Sequence, residues 1–301
     1  MKFITPALAV IIIFSLIGFT VYWLWQRQPK PKVEEPQTKI ETVVKNEEDT
    51  KPATFITSPK PYQILADTKL RVEGIAQPDT TIIIITDSQA AALKSQKDGT
   101  ISYELEIPNG LSLIQVVALD QKFEEAQNVT IPVYVSKGET KYKAFYSGSV
   151  NKIFENTITL STIEGTVDIA TAPDTQKVLT NPAAAKKTTG KPDVRVGDYL
   201  IVLGQANQEV FRAELIEIFR DTKPVINASW VSAKISSVAK SNIFSATSTK
   251  DNKLIELTLN KNSQIMENGK KVTAAAIVKD KTAIIIYKAQ NDNLTLLLHF
   301  L

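Results

Sequence analysis

"VRVGDYLIVLG" (Val194–Gly204) passes from a basic segment through Gly-Asp into an apolar run that stops at glycine. "AIVKDKTAIIIY" (Ala276–Tyr287) does nearly the same later in the chain. Runs of this length bounded by turn residues read as buried strands. The recurrence extends to both sides. "GSVNKIFENTITLST" resembles "AKISSVAKSNIFSATS", "VDIATAPDTQKVL" resembles "IELTLNKNSQIM", and "VFRAELIEIF" resembles "DNLTLLLHF", with order and spacing kept. An internal duplication follows, one copy over residues 144–220 and the other over 229–301.

Each copy is expected to hold about five short strands, which close into a small OB-like β-barrel. The aspartates of the two turns, Asp198 and Asp280, align with each other, so that Lys279 replaces Gly197 in the second copy. An aspartate in such a turn accepts backbone N–H bonds and has no need of a catalytic role. The stretch Thr171–Asp193, "TAPDTQKVLTNPAAAKKTTGKPD", is much longer than its counterpart and reads as a mobile polar insertion. Its Lys186, Lys187 and Lys191 offer contacts to an anionic surface.

Upstream, over 55–136, the period is two. "KLRVEGI" sets Leu70 and Val72 against Arg71 and Glu73, and "ISYELEI" sets Ile101, Tyr103, Leu105 and Ile107 against Ser102, Glu104 and Glu106. "TIIIIT" reads as a strand buried on both faces, and turn signals recur at "QPDT", "KDGT" and "PNG". About seven short strands with this punctuation make a β-sandwich. The opening Ser58-Pro59, the V-x-G strand at Val72 and Gly74, the Asp98-Gly99 turn and the strand ending at Asp120 resemble a bacterial immunoglobulin-like domain of exported and surface proteins. That resemblance implies a spacer or adhesive module without catalytic residues. The two repeats likewise resemble small β-barrel repeats of bacterial envelope proteins, whose V-x-x-G-D turn appears here as Val194, Arg195, Val196, Gly197 and Asp198.

The amino terminus has a different character. No charged side chain falls between Lys2 and Arg27, and "PALAVIIIFSLIGFTVYWLW" supplies 20 consecutive, mostly apolar residues. At about 1.5 Å per residue a helix of this length spans roughly 30 Å, the hydrocarbon thickness of a bilayer. Tyr22, Trp23 and Trp25 suit the interface, and bulky residues there argue against a cleaved signal peptide. Residues 1–26 are therefore expected to form a single transmembrane anchor. Residues 27–54 carry 4 prolines and 12 charges and read as a disordered, solvated linker. The basic residues just after the span lean slightly against translocation of the body, whereas the absence of cysteine and the exported-type domain favour it. The expected localisation is the cell membrane, with the bulk of the chain extracytoplasmic.

Composition narrows the chemistry further. The chain has no cysteine and one histidine, His299 in "LTLLLHFL", which reads as structural. The net charge of +3 divides into −4 over residues 55–136, from 6 basic and 10 acidic side chains, and +6 over 137–301, from 22 and 16. That bias is too small for a nucleic-acid footprint, and Tyr199, Phe211 and Tyr287 fit core packing as well as a stacking platform. Ser149-Val-Asn-Lys152 and Ser237-Val-Ala-Lys240 match S-x-x-K, but in a strand that spacing is expected to send the two side chains to opposite faces. Asp79, Asp87, Asp98 and Asp120 are candidates for calcium at the sandwich ends or, more simply, turn caps. No catalytic, cofactor-binding or metal-binding residue is assigned, and no cofactor or enzyme activity is expected. The fold expectation is all-β with one transmembrane helix, an Ig-like sandwich and two OB-like barrels. The functional expectation is a structural or adhesive envelope protein. The alternatives are an accessory subunit of a secretion, pilus or division complex, and OB-type binding of an anionic polymer. Partners are the membrane and an envelope polymer or membrane protein.

Overall fold

The strand alternation of the first body is realised as two facing sheets. A computed structural model describes residues 54–136, 141–180, 192–206, 210–240, 242–289 and 293–301. The expected anchor, nearly all of the linker, and Lys186, Lys187 and Lys191 lie outside the described residues. Among the described residues the protein is all-β apart from one 3-10 turn at Ala274–Ala276. No helix there is long and apolar enough to cross a membrane.

The first body uses β1 (Phe55–Ser58), β2 (Gln63–Leu65), β3 (Lys69–Ile75), β4 (Thr81–Ile85), β5 (Ala90–Lys94), β6 (Thr100–Glu106), β7 (Gly110–Leu119) and β8 (Glu125–Val135). One sheet has the order β1-β3-β6 and the other β2-β8-β7-β4-β5. In β3, Leu70 and Val72 point into the core while Lys69 and Arg71 stay exposed. Ile82, Ile84, Ile114, Val116, Ile131 and Val133 meet them from the larger sheet. Strand β4 is buried at every position, because Ile83 and Ile85, on its other face, are covered as well.

The first repeat contributes β9 (Ala144–Phe154), β10 (Thr157–Thr162), β11 (Gly165–Ala170), β12 (Gln176–Leu179), β13 (Tyr199–Ala206) and β14 (Phe211–Phe219). The sheet runs β11-β10-β9-β13-β14-β12, and a parallel pairing of β11 with β14 closes β9, β10, β11, β14 and β13 into a ring. The second repeat contributes β15 (Ala228–Lys240), β16 (Ile243–Ser248), β17 (Leu254–Thr258), β18 (Gln264–Glu267), β19 (Lys270–Lys271), β20 (Thr282–Lys288) and β21 (Leu294–Phe300). Its order, β17-β16-β15-β20-β21-β18-β19, closes in the same way through a parallel contact of β17 with β21.

Each repeat thus has five barrel strands plus a sixth, β12 or β18, paired in parallel with the last, and the second adds the two-residue β19 beside β18. This corrects the reading of Thr171–Asp193 as a polar insertion throughout, because Gln176–Leu179 within it is strand β12. Its Lys177 and Leu179 are half buried and every residue pairs with β14, so backbone hydrogen bonding rather than composition decides its state.

The ladders match closely, apart from an extra bulge at Ala239 in the second repeat. A bulge falls at Asn151 between β9 and β10 and at Ser236 between β15 and β16. A second falls at Glu214 on β14 and at Leu296 on β21. This register corrects the alignment of the two turns by one residue. Gly197 N–H bonds the carbonyl of Val150, and Asp280 N–H bonds the carbonyl of Ile235. Asp280 therefore occupies the place of Gly197, and Lys281 that of Asp198. Both turn residues have left-handed backbone, with φ of 92° at Gly197 and 73° at Asp280. Aspartate tolerates that region better than most side chains do, so the turn survives the loss of glycine.

The larger sandwich sheet has no solvent-facing apolar side. Ile83, Ile85, Val117 and Leu119 pack against Ile284, Ile286 and Leu297 of the second barrel, with Trp230 at the margin. Ile64, Leu111 and Tyr134, with Tyr62, pack against Phe145, Ile201, Leu203 and Leu215 of the first. The two barrels dock through the same positions, since Phe145 lies opposite Leu203 as Trp230 lies opposite Ile286. "LIVL" and "AIII" are apolar throughout for this reason. Leu200, Val202, Ala283 and Ile285 fill the barrels, and the alternate residues fill the joints. At about 1.5–3 kcal/mol for each large aliphatic side chain buried, the joints are substantial parts of the core. All three bodies belong to one compact unit.

Candidate functional site

On the first barrel the bulge at Glu214 breaks the alternation of β14 and turns its carboxylate toward the neighbouring strand end. Glu214 Oε1 accepts a hydrogen bond from Gln205 Nε2 at 2.8 Å, and Oε2 lies 2.9 Å from Lys141 Nζ. The hydrogen bond from Lys141 holds the Glu214 carboxyl below its ordinary range, and the same contact raises the Lys141 ammonium. Two residues back, Arg212 pairs loosely with Asp174 at 3.7 Å. Asp174 sits in the turn before β12, which is tied to the barrel by Thr175 Oγ1 donating to the carbonyl of Ala213 at 3.0 Å. Together these groups line an open cleft of about 340 Å³. The cleft presents two cations, two carboxylates and side-chain amides in a polar setting, with no apolar floor beyond Ala213.

The register gives the corresponding surface of the second barrel. Gln205, Arg212 and Glu214 correspond to Lys288, Leu294 and Leu296, and counting back along the chain from the paired strands sets Lys141 against Ile226. There Ile226 and Leu296 pack into the joint with the sandwich, and Lys288 Nζ lies 3.6 Å from Asp87 of the sandwich. The surface that is a joint in one copy is an open charged cleft in the other. A further cavity, of about 410 Å³, lies at the end of the second barrel between Leu259, Ser263, Ile265 and Val272.

The residues singled out in the sequence fall elsewhere. Asp198 does accept a turn N–H, from Arg195 at 2.8 Å, but it also forms a paired contact with Arg220, whose Nε and Nη2 lie 3.1 and 3.0 Å from its two oxygens. The charge at the equivalent point of the second barrel is reversed, where Lys281 Nζ lies 2.6 Å from Glu267. Asp280 instead pairs with Lys234 at 2.9 Å. Ser149 and Lys152 do not point to opposite faces as expected. Ser149 lies opposite Ser161 and Lys152 opposite Thr159, so the intervening bulge at Asn151 puts them on one face. The Lys152 ammonium sits 5.6 Å from the centre of the Phe154 ring.

Tyr199, Phe211 and Tyr287 are not brought together. Tyr199 meets Phe219 at the first joint, Phe211 is inside the first barrel beside Tyr146, and Tyr287 packs on the core of the second. Asp98 and Asp120 cap turns through Thr100, and through Lys122 and Glu124. Asp79 has left-handed backbone, and Asp87 reaches Lys288. No group of three His, Asp or Glu side chains placed to hold a metal occurs among the described residues. His299 lies at the second joint, where burial and then Lys94 depress its pKa.

The charged cleft was missed because its residues come from four separate segments. A signal was present in "FRAELIEIF", where the apolar positions shift from Phe211 and Ala213 to Ile216 and Ile218, a change of parity that requires a bulge.

No protein-family model matches the chain, and no curated protein matches it significantly. Two solved structures are similar at 10% identity. One, described as "Structural insight into host cell surface retention of a 1.5-MDa bacterial ice-binding adhesin", has a TM-score of 0.20, with 83% of this chain and 96% of that chain covered. The other, described as "Ca2+-stabilized adhesin helps an Antarctic bacterium reach out and bind ice", has a TM-score of 0.21, with 84% and 74% covered. Likenesses at these scores establish neither fold nor function.

Proposed function

We propose that this chain is a membrane-tethered, non-enzymatic binding module of the cell envelope, in which an Ig-like sandwich carries two OB-like barrels outside the membrane. The two-sheet order of the first body supports the Ig-like reading. Counting only the barrel strands of each repeat, the ring order is first, second, third, fifth, fourth, with third and fifth parallel, which supports the OB-like reading. The observation that carries the functional reading is the contrast between the two copies. Apolar surface is spent on joining the bodies, and the equivalent surface of the first barrel is an open cleft with both charge signs. Shallow, charged surfaces on loops and strand ends suit recognition.

The test has two parts. Protease added to intact cells should digest the body while a cytoplasmic marker survives, and full-length chain in detergent should sediment with isolated cell envelopes. Protection of the body from protease would refute the extracytoplasmic placement. Charged substitutions within residues 6–25 that preserve membrane localisation but abolish function would point instead to an accessory subunit acting through its helix.

A further inference from the structure

We infer that the cleft on the first barrel binds a short peptide segment carrying both a carboxylate and an ammonium group. This rests on the binding-module reading and adds the ligand class. The four charges lining the cleft, Lys141, Asp174, Arg212 and Glu214, cancel. A purely anionic polymer would meet two carboxylates there, and like charges brought together cost binding energy. A ligand with both signs can satisfy both pairs.

The two pairs are not equivalent. Glu214 is 24% exposed and held by Lys141 and Gln205, so its position is fixed before any ligand arrives. Arg212 and Asp174 are 60% and 81% exposed and 3.7 Å apart, an ion pair loose enough to be exchanged for ligand groups. The planar guanidinium of Arg212 suits a carboxylate, which it can take in a bidentate manner. Asp174 then accepts from an ammonium. Gln176 and Gln205 add amide donors and acceptors that match peptide groups. The second barrel gives an independent argument. Its copy of this surface is occupied by protein, with Leu296 in the joint and Lys288 against Asp87 of the sandwich. The cleft also continues the first joint, because Leu215 of that joint follows Glu214 directly.

The test is titration calorimetry of full-length chain in detergent with soluble peptidoglycan stem peptide. The same peptide N-acetylated, the same peptide amidated at its carboxylates, and polyphosphate serve as comparisons. The free stem peptide should bind at least tenfold more tightly than any of the three. Arg212→Gln and Asp174→Asn, both at exposed positions, should each weaken it about tenfold with unchanged thermal melting. Equal binding of the acetylated or amidated peptide, tighter binding of polyphosphate, or indifference to both substitutions would overturn the assignment. These outcomes are separate from the protease result, which bears on placement alone.

Discussion

Glu217 and His299 occupy the same position in the two barrels. Glu217 lies opposite Ile201 and His299 opposite Ile284, and both face the sandwich across a joint. Tyr134 of the sandwich donates to Glu217 Oε1 at 2.9 Å, whereas His299 Nδ1 is buried with no hydrogen-bond partner among the described residues. Burial raises the pKa of Glu217 and lowers that of His299.

The two groups should therefore respond to pH in opposite senses. His299 has its pKa depressed from 6.5, so its neutral form stabilises the second joint above that pH, and the contribution is lost as pH falls below it. Lys94, the charged neighbour on the sandwich side, adds to the loss. His299→Leu should flatten the decline in melting temperature as pH falls below 6.5. An unchanged slope would show that the imidazole does not titrate at the joint.

Glu217, with its pKa raised above 4.5, contributes stability at low pH that fades as pH rises through the elevated value. Glu217→Gln keeps an acceptor for Tyr134 without the buried charge. It should raise the melting temperature at pH 7 and leave it unchanged near pH 4.

The joints should behave as core. Ile201 is 1% exposed and fills the first joint, and Ile201→Ala should cost about 2–5 kcal/mol in denaturant unfolding. Ile153, on the same barrel but 39% exposed, should cost within about 0.5 kcal/mol when changed to Ala. A loss at Ile201 as small as that at Ile153 would mean that barrel and sandwich do not stabilise each other.

The two turn ion pairs should differ in worth. Arg220 and Asp198 are only 13% and 5% exposed, and Asp198→Ala removes a buried carboxylate that accepts from both Arg220 and the Arg195 N–H, a loss of about 1.5–3 kcal/mol. Lys281 and Glu267 are each about one-third exposed, and Glu267→Ala should cost about 1 kcal/mol or less. Equilibrium unfolding in urea compares them directly.

Gly204 is a position where the chain leaves no room for a side chain, because a Cβ there would collide with the carbonyl oxygen of Arg212. Gly204→Ala should push β14 away at the bulge, cost about 1–3 kcal/mol, and shift the amide resonances of Arg212 and Glu214. The second barrel carries Tyr287 at this position, so the close approach is particular to the strand that lines the cleft.

Much of the architecture was legible because alternation and turn residues are local. Leu70 against Arg71, and the all-apolar "TIIII", declare their burial without reference to the rest of the chain. The duplication was legible for the same reason. What escaped was whatever depends on register. The Asp-to-Asp match between the turns ignored that Gly197 and Asp280 share a backbone conformation, and only the partner strand reveals it. Bulges at Asn151 and Glu214 reverse the face of the residues that follow, which defeats any argument from spacing along one strand. The cleft depends on both effects and on segments far apart in sequence.

Ile83, Ile85, Val117 and Leu119 bring one last consequence. A fragment ending at residue 136 would keep every strand pairing of the sandwich and still expose an oily strip that its neighbours normally shield. Such a fragment should self-associate rather than stay monomeric. The first body is thus unsuited to life as a detachable cassette, and truncations of this chain should leave the sandwich and both barrels together.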